Sequence, residues 1–195
     1  MTYFEYAAVY FGIIVGLALA NVLTSFHKLI EAGPRVRWHW LAPTAAVYAS
    51  VLTLGEFWSV WVRQNDMSHR VFLTWLPLAV AFSILFLFCA ASLPDEVSED
   101  GLDLKDYYFS NRKRFWGFSI ALHVFNLTSW TIAAAEHGNA AQNVLQYWHP
   151  ILGNFVEASL SLVAIFARRA WVQAIILLAM AAYMISLFGP MTLGE

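Results

Sequence analysis

Glu157 and His123 are the residues of this chain whose types and placement point most directly to chemistry. Each falls inside a long apolar run. Glu157 is about nine residues from either end of segment 149–167, and His123 is about nine residues, roughly 13 Å, into segment 115–135. An ionised carboxylate in the middle of a bilayer is costly unless paired or hydrated, so a Glu and a His at one depth point to a pathway for protons or cations. The bland alternative is a satisfied pair that only fixes helix packing. A neutral carboxyl would also meet the physics, because desolvation favours the uncharged form.

Helical spacing gives the pair its companions. Ser119, His123, Asn126 and Trp130 share one helical face, and Asn154, Glu157 and Ser161 share another. Asn21, about 10 Å from the inner end of the first run, is placed to join them. Glu56, in GEFWSVWVR, lies shallower, where it can reach water or pair with Arg63.

Other chemistries find less support. A bis-imidazole haem site needs two histidines facing across a bundle, and only His123 lies deep; His27 and His39 sit at one interface, His69, His137 and His149 at the other. Those last three with Glu136 have no HxxxH or HExxH spacing for a metal. The acidic run from Glu96 to Asp103 has a glycine where a calcium loop turns, but Tyr107 stands in place of its final bidentate Glu, so its acids are read as solvated. Cys89 is the single cysteine, and no GxSxG is present. No catalytic residue, cofactor or metal is expected.

The elements that must position these side chains follow from composition. Only 12% of the 195 residues are charged, 60% are hydrophobic and nine are Trp, with a mean hydropathy of +0.59. Soluble domains carry about 25% charged residues, so this is the composition of a membrane protein. The expectation is an all-α polytopic bundle in one domain, 1–195, with six transmembrane helices near 3–26, 38–62, 71–93, 115–135, 149–167 and 171–188. Trp38, Trp40, Trp58, Trp61, Trp75, Trp116, Trp130, Trp148 and Trp171 mark segment ends as an aromatic belt would. Helices three and six, lacking ionisable residues, are read as lipid-facing.

Charge orients the bundle. Lys28, Arg35, Arg37, Lys105, Arg112, Lys113, Arg114, Arg168 and Arg169 lie in three connections on one side, against Arg63 and Arg70 on the other. By the positive-inside rule both termini are extracytoplasmic and loop 94–114 is cytoplasmic. The N-terminus lacks a charged n-region, so no cleavable signal is read there. A net charge of -2 with no basic stripe argues against a nucleic-acid partner.

Gly12, Gly16, Ala20 and Thr24 recur every four residues, a small-residue stripe for close helix contact within or between subunits. With so little polar volume in six short helices, a homo-oligomer in the lipid bilayer is expected. Two functional classes follow: a channel or transporter for protons or small ions, and a non-transporting accessory or scaffold subunit with a membrane-protein partner. A b-type haem protein ranks third. The segments GLALANVLTSFHKL, RVRWHW, LPDE and YYFSNRKRFWG resemble a pattern in uncharacterised bacterial integral-membrane proteins of similar length. That resemblance spans helix one through the start of helix four. It implies a bacterial inner-membrane location and carries no activity or site residue with it.

Overall fold

The computed structural model describes residues 3–62, 72–137 and 144–188. Among them the apolar runs form six helices: α1 (Tyr3–Ala32), α2 (Leu41–Val62), α3 (Phe72–Ala90), α4 (Leu104–His137), α5 (Val144–Phe166) and α6 (Ala170–Phe188). Four of them, α1, α4, α5 and α6, are long and apolar enough to cross a membrane. In α3 the apolar stretch Leu76–Ala90 is shorter. The class is therefore all-α, and the outer surface suits lipid: Leu23, Leu162, Phe166, Leu178 and Ile185 are each more than half exposed. Soluble monomers avoid apolar surface on this scale, whereas hydrocarbon solvates it at no cost.

One face of α1 supplies much of the core. Ala7, Phe11, Val15, Ala18, Val22, Ser25, Leu29 and Ala32 are buried at steps of three or four, against α2 and α3. The glycine stripe lies on a different face. Gly16, Ala20 and Thr24 are exposed, and a methyl at Gly16 would meet nothing within 4 Å. Gly12 alone approaches a neighbour, the Phe57 ring of α2. The small residues that do permit close approach are Ala42, Ala45, Ala46 and Ala49 of α2, all buried. They let α2 pack against α1, α3, α4 and α6 together.

Helices α3 and α6, expected to face lipid, carry a buried core face beside their exposed one. Phe82 of α3 stacks on Phe11 at 4.4 Å between ring centroids, and Phe88 stacks on Phe115 of α4 at 4.5 Å. Gln173, Leu177, Met180 and Met184 form the buried face of α6. Lacking ionisable groups does not send a helix to the lipid, because tails are as apolar as the side chains and packing decides.

Several helix limits differ from those read by hydropathy. α4 begins at Leu104, not near Phe115, so the second half of the expected loop 94–114 is helical. At about 1.5 Å per residue the 34 residues of α4 run to about 51 Å, well beyond a hydrocarbon core of about 30 Å. Its charged first turns need not enter the membrane, and a hydropathy window therefore misses them. α1 likewise continues to Ala32, and α5 starts at Val144 with Pro150 inside the helix rather than at its start.

The polar connections are tied down, not merely solvated. Strand β1 (Val36–Arg37) pairs in parallel with β2 (Leu102–Asp103), joining the α1–α2 turn to the start of α4. Gly101 makes the turn with φ of 92°, and a methyl there would come within 2.8 Å of the Arg35 carbonyl oxygen, so two constraints select glycine. Asp103 Oδ1 accepts from the backbone N–H groups of Lys105 (2.8 Å) and Asp106 (3.3 Å), capping α4. These bonds, with Arg37 3.3 Å away, hold the Asp103 carboxyl below the usual carboxylate range. Asp95 accepts from the Ser25 hydroxyl at 3.3 Å, and its carbonyl accepts from Lys28 Nζ at 2.9 Å. His39 Nδ1 accepts from the Leu41 N–H at the start of α2; burial, then nearby Lys105, lower its pKa and keep it in this acceptor form.

Candidate functional site

The polar face predicted on α4 meets the polar face predicted on α5. The contacts pair rising positions on α4 with falling positions on α5, so the two helices run antiparallel. Ser119 Oγ and Ser161 Oγ are 2.9 Å apart, fully buried. Four residues along α4 and four back along α5, His123 Nδ1 stands 3.4 Å from Glu157 Oε2, with side-chain exposures of 1% and 4%. Farther along, the Trp130 and Tyr147 rings meet edge to face.

The hydrogen-bond pattern assigns the imidazole tautomer. Asn154 donates from Nδ2 to the Pro150 carbonyl at 2.9 Å, so its Oδ1 is the atom turned to His123 Nδ1, at 3.2 Å. Asn154 Oδ1 can only accept, so Nδ1 carries the hydrogen in this bond. Nε2 is then an acceptor, buried without a hydrogen-bond partner among the described residues. Glu157 Oε1 and the Tyr48 hydroxyl are in the same position. Three such atoms on adjoining helices are notable, since buried polar atoms are normally bonded.

Asn126 and Glu56 pair with each other. Asn126 Nδ2 donates to Glu56 Oε1 at 2.7 Å, joining α4 to α2 one turn from His123. Glu56, partly exposed, is therefore part of the inter-helix cluster; the expected partner Arg63 lies outside the described residues. Asn21 is not brought in. α1 packs chiefly against α2 and α3, which places it across the bundle from α5.

Glu157 also opens onto a second space. A cleft of about 320 Å³ between α5 and α6 is lined by His149, Leu152, Gly153, Val156, Glu157, Leu160, Ala179, Met180 and Tyr183. Its wall is apolar apart from Glu157, His149 and the Tyr183 hydroxyl. A methyl at Gly153 would overlap that hydroxyl, so glycine is what lets Tyr183 lie against α5. His149 stacks on the Tyr183 ring at 6.3 Å.

A polar hub that sequence reasoning missed lies at the other end of α5. Gln173, with no exposed surface, donates from Nε2 to the carbonyls of Ala164 (2.7 Å) and Ala167 (2.8 Å). Its Oε1 accepts from the Tyr108 hydroxyl at 2.8 Å and from Trp116 Nε1 at 3.1 Å. Arg112 Nε adds a bond to the Ile165 carbonyl at 2.9 Å. Together they satisfy carbonyls that the end of α5 leaves open. Trp116, expected in an aromatic belt, is fully buried here. The signal was a lone glutamine in the first turn of an otherwise apolar α6.

Among the described residues no group of three or more His, Cys, Asp or Glu is placed to hold a metal ion. What faces His123 is an amide and a carboxylate, not a second imidazole as bis-histidine haem would need. No protein-family model, curated protein or solved structure matches the chain. Its function has to be argued from this geometry.

Proposed function

We propose that the chain moves protons or small cations across the membrane, with Glu157 as the exchange group and His123 as its neighbour. The observation that carries this reading is a half-bonded carboxylate beside a cleft. Oε2 lies 3.4 Å from the imidazole of α4, Oε1 is buried with no hydrogen-bond partner among the described residues, and Glu157 also lines the α5–α6 cleft. A buried carboxylate left half-bonded costs stability, and such groups inside membranes mark ion and proton paths. Asn126 and Glu56 continue the polar line toward α2. Purified protein in liposomes is expected to pass protons or a monovalent cation down an imposed gradient; silence under every gradient would sink the reading.

A second reading, an accessory or scaffold subunit with a membrane-protein partner, has its own support. The Ser119–Ser161 and His123–Asn154 bonds close α4 on α5 without any need for an ion.

The same reading places all six helices across a bacterial inner membrane with both termini outside and the 94–103 connection in the cytoplasm. Asp100 is exposed and Cys89 is buried, so a cysteine at position 100 on a Cys89→Ser background reports the side directly. Labelling by an impermeant maleimide is expected only from the cytoplasmic side. Labelling from outside would invert the topology.

The exposed Gly16–Ala20–Thr24 face of α1 supports assembly into a homo-oligomer, since a second backbone can approach it closely. In nanodiscs the particle is expected to hold more than one chain of 22.0 kDa. A strictly single-chain particle would refute this.

A further inference from the structure

The α5–α6 cleft combines an apolar wall, a volume of about 320 Å³ and a carboxylate with one unpartnered oxygen, and these restrict what it can hold. From His149 to Glu157 it follows α5 for about 12 Å. Leu152, Val156, Leu160, Ala179 and Met180 offer nothing to a bare metal ion, which needs several oxygen ligands in place of its water. An anion would meet Glu157, and no lysine or arginine among the described residues lines the cleft to balance it. A molecule with an apolar body and one positively charged N–H donor complements both the wall and the carboxylate.

We propose that this cleft binds a small lipophilic amine, its ammonium group donating to the Glu157 carboxylate and its apolar body lying along α5 and α6 toward the His149 and Tyr183 rings. An ammonium needs few partners once its body is desolvated by the cleft. The carboxylate supplies a charge-assisted bond, and the aromatic end offers ring faces. Glu157 Oε1 has no donor among the described residues, so an ammonium bound to this carboxylate would displace no existing hydrogen bond of Oε1. This narrows the transport reading, resting on the same Glu157, to an organic cation, but binding and flux are separate measurements.

Calorimetric titration of the full chain in nanodiscs, with empty nanodiscs subtracted, provides the test. The probes are 2-phenylethylamine, protonated at neutral pH, and its neutral counterpart 2-phenylethanol. Saturable binding of the amine is expected, weaker for the alcohol and for Glu157→Gln by about tenfold or more, because the charge on one side of the bond is lost. Ala179→Phe puts a ring into the cleft from an exposed position on α6 without touching His123, and is expected to remove binding while the thermal transition stays in place. That variant keeps the test decisive if Glu157→Gln folds poorly. No saturable amine binding by wild type, or equal binding of amine and alcohol, overturns the assignment. Amine binding with no flux under any gradient supports the cleft and defeats the transport reading; flux without amine binding does the reverse.

Discussion

Replacing Gln173 with Leu is expected to destabilise the bundle by about 2 to 4 kcal/mol, the largest loss from any single polar substitution in it. The side chains have similar volume, so the effect isolates four hydrogen bonds. Leu would strand the carbonyls of Ala164 and Ala167 at the end of α5, and would remove an acceptor from Tyr108 and Trp116 on α4. Each buried group left unpaired costs about 1 to 3 kcal/mol in water-soluble proteins, while cross-helix bonds in membranes average nearer 0.6. The estimate lies between those scales. Tyr108→Phe should cost less, because Gln173 Oε1 keeps Trp116, and Phe keeps the ring packing. The double variant should therefore fall short of the sum, since both changes break one shared bond. Unfolding in a single detergent system measures all three. A Gln173→Leu variant within about 0.5 kcal/mol of wild type would show that the hub is not holding α4, α5 and α6 together.

Why this hub escaped the sequence while the Ser119–His123 ladder did not is a matter of periodicity. The residues at 119, 123 and 126, and those at 154, 157 and 161, repeat at helical spacing, so each set defines a face before any fold is known. Two polar faces in an apolar solvent have reason to meet, and Ser119–Ser161 and His123–Glu157 do. Gln173 has no polar companion on its own helix. Its partners come from a tyrosine and a tryptophan that also fit an interface, and from backbone carbonyls that no sequence displays.

Hydropathy made the apolar helices legible, but not their ends or neighbours. The start of α4 at Leu104 depends on the Asp103 cap and on the β1–β2 pairing with a segment 66 residues away in sequence (Leu102 against Val36), a contact no local window contains. Glycine spacing on α1 did not mark a contact within the chain beyond Gly12, because close packing also needs a neighbouring helix on that face. The alanines of α2 have that neighbour, and three of the four stripe positions on α1 do not.

Glu157 should prove dispensable for folding and indispensable for flux. The physical reason is that its loss strands very little. His123 Nδ1 keeps Asn154 Oδ1 at 3.2 Å, and Asn126 keeps Glu56 at 2.7 Å, so neither depends on the Glu157 carboxylate. Oε1 has no donor to lose. Glu157→Leu also removes a buried acid from an apolar wall, a change that is often neutral or stabilising, so its stability is expected within about 1 kcal/mol of wild type or above it. Glu157→Gln keeps the shape and an acceptor for the imidazole but cannot take up or release a proton or carry charge. Both variants should abolish or alter proton and cation flux in liposomes while unfolding near the wild-type midpoint. A purely structural pair predicts the opposite order: Gln tolerated in every assay, Leu damaging to the fold. Wild-type flux retained in the Gln variant would remove Glu157 as an essential ionisable group. A collapsed Leu variant would return the His123–Glu157 contact to the packing role that Ser119 and Ser161 already play beside it.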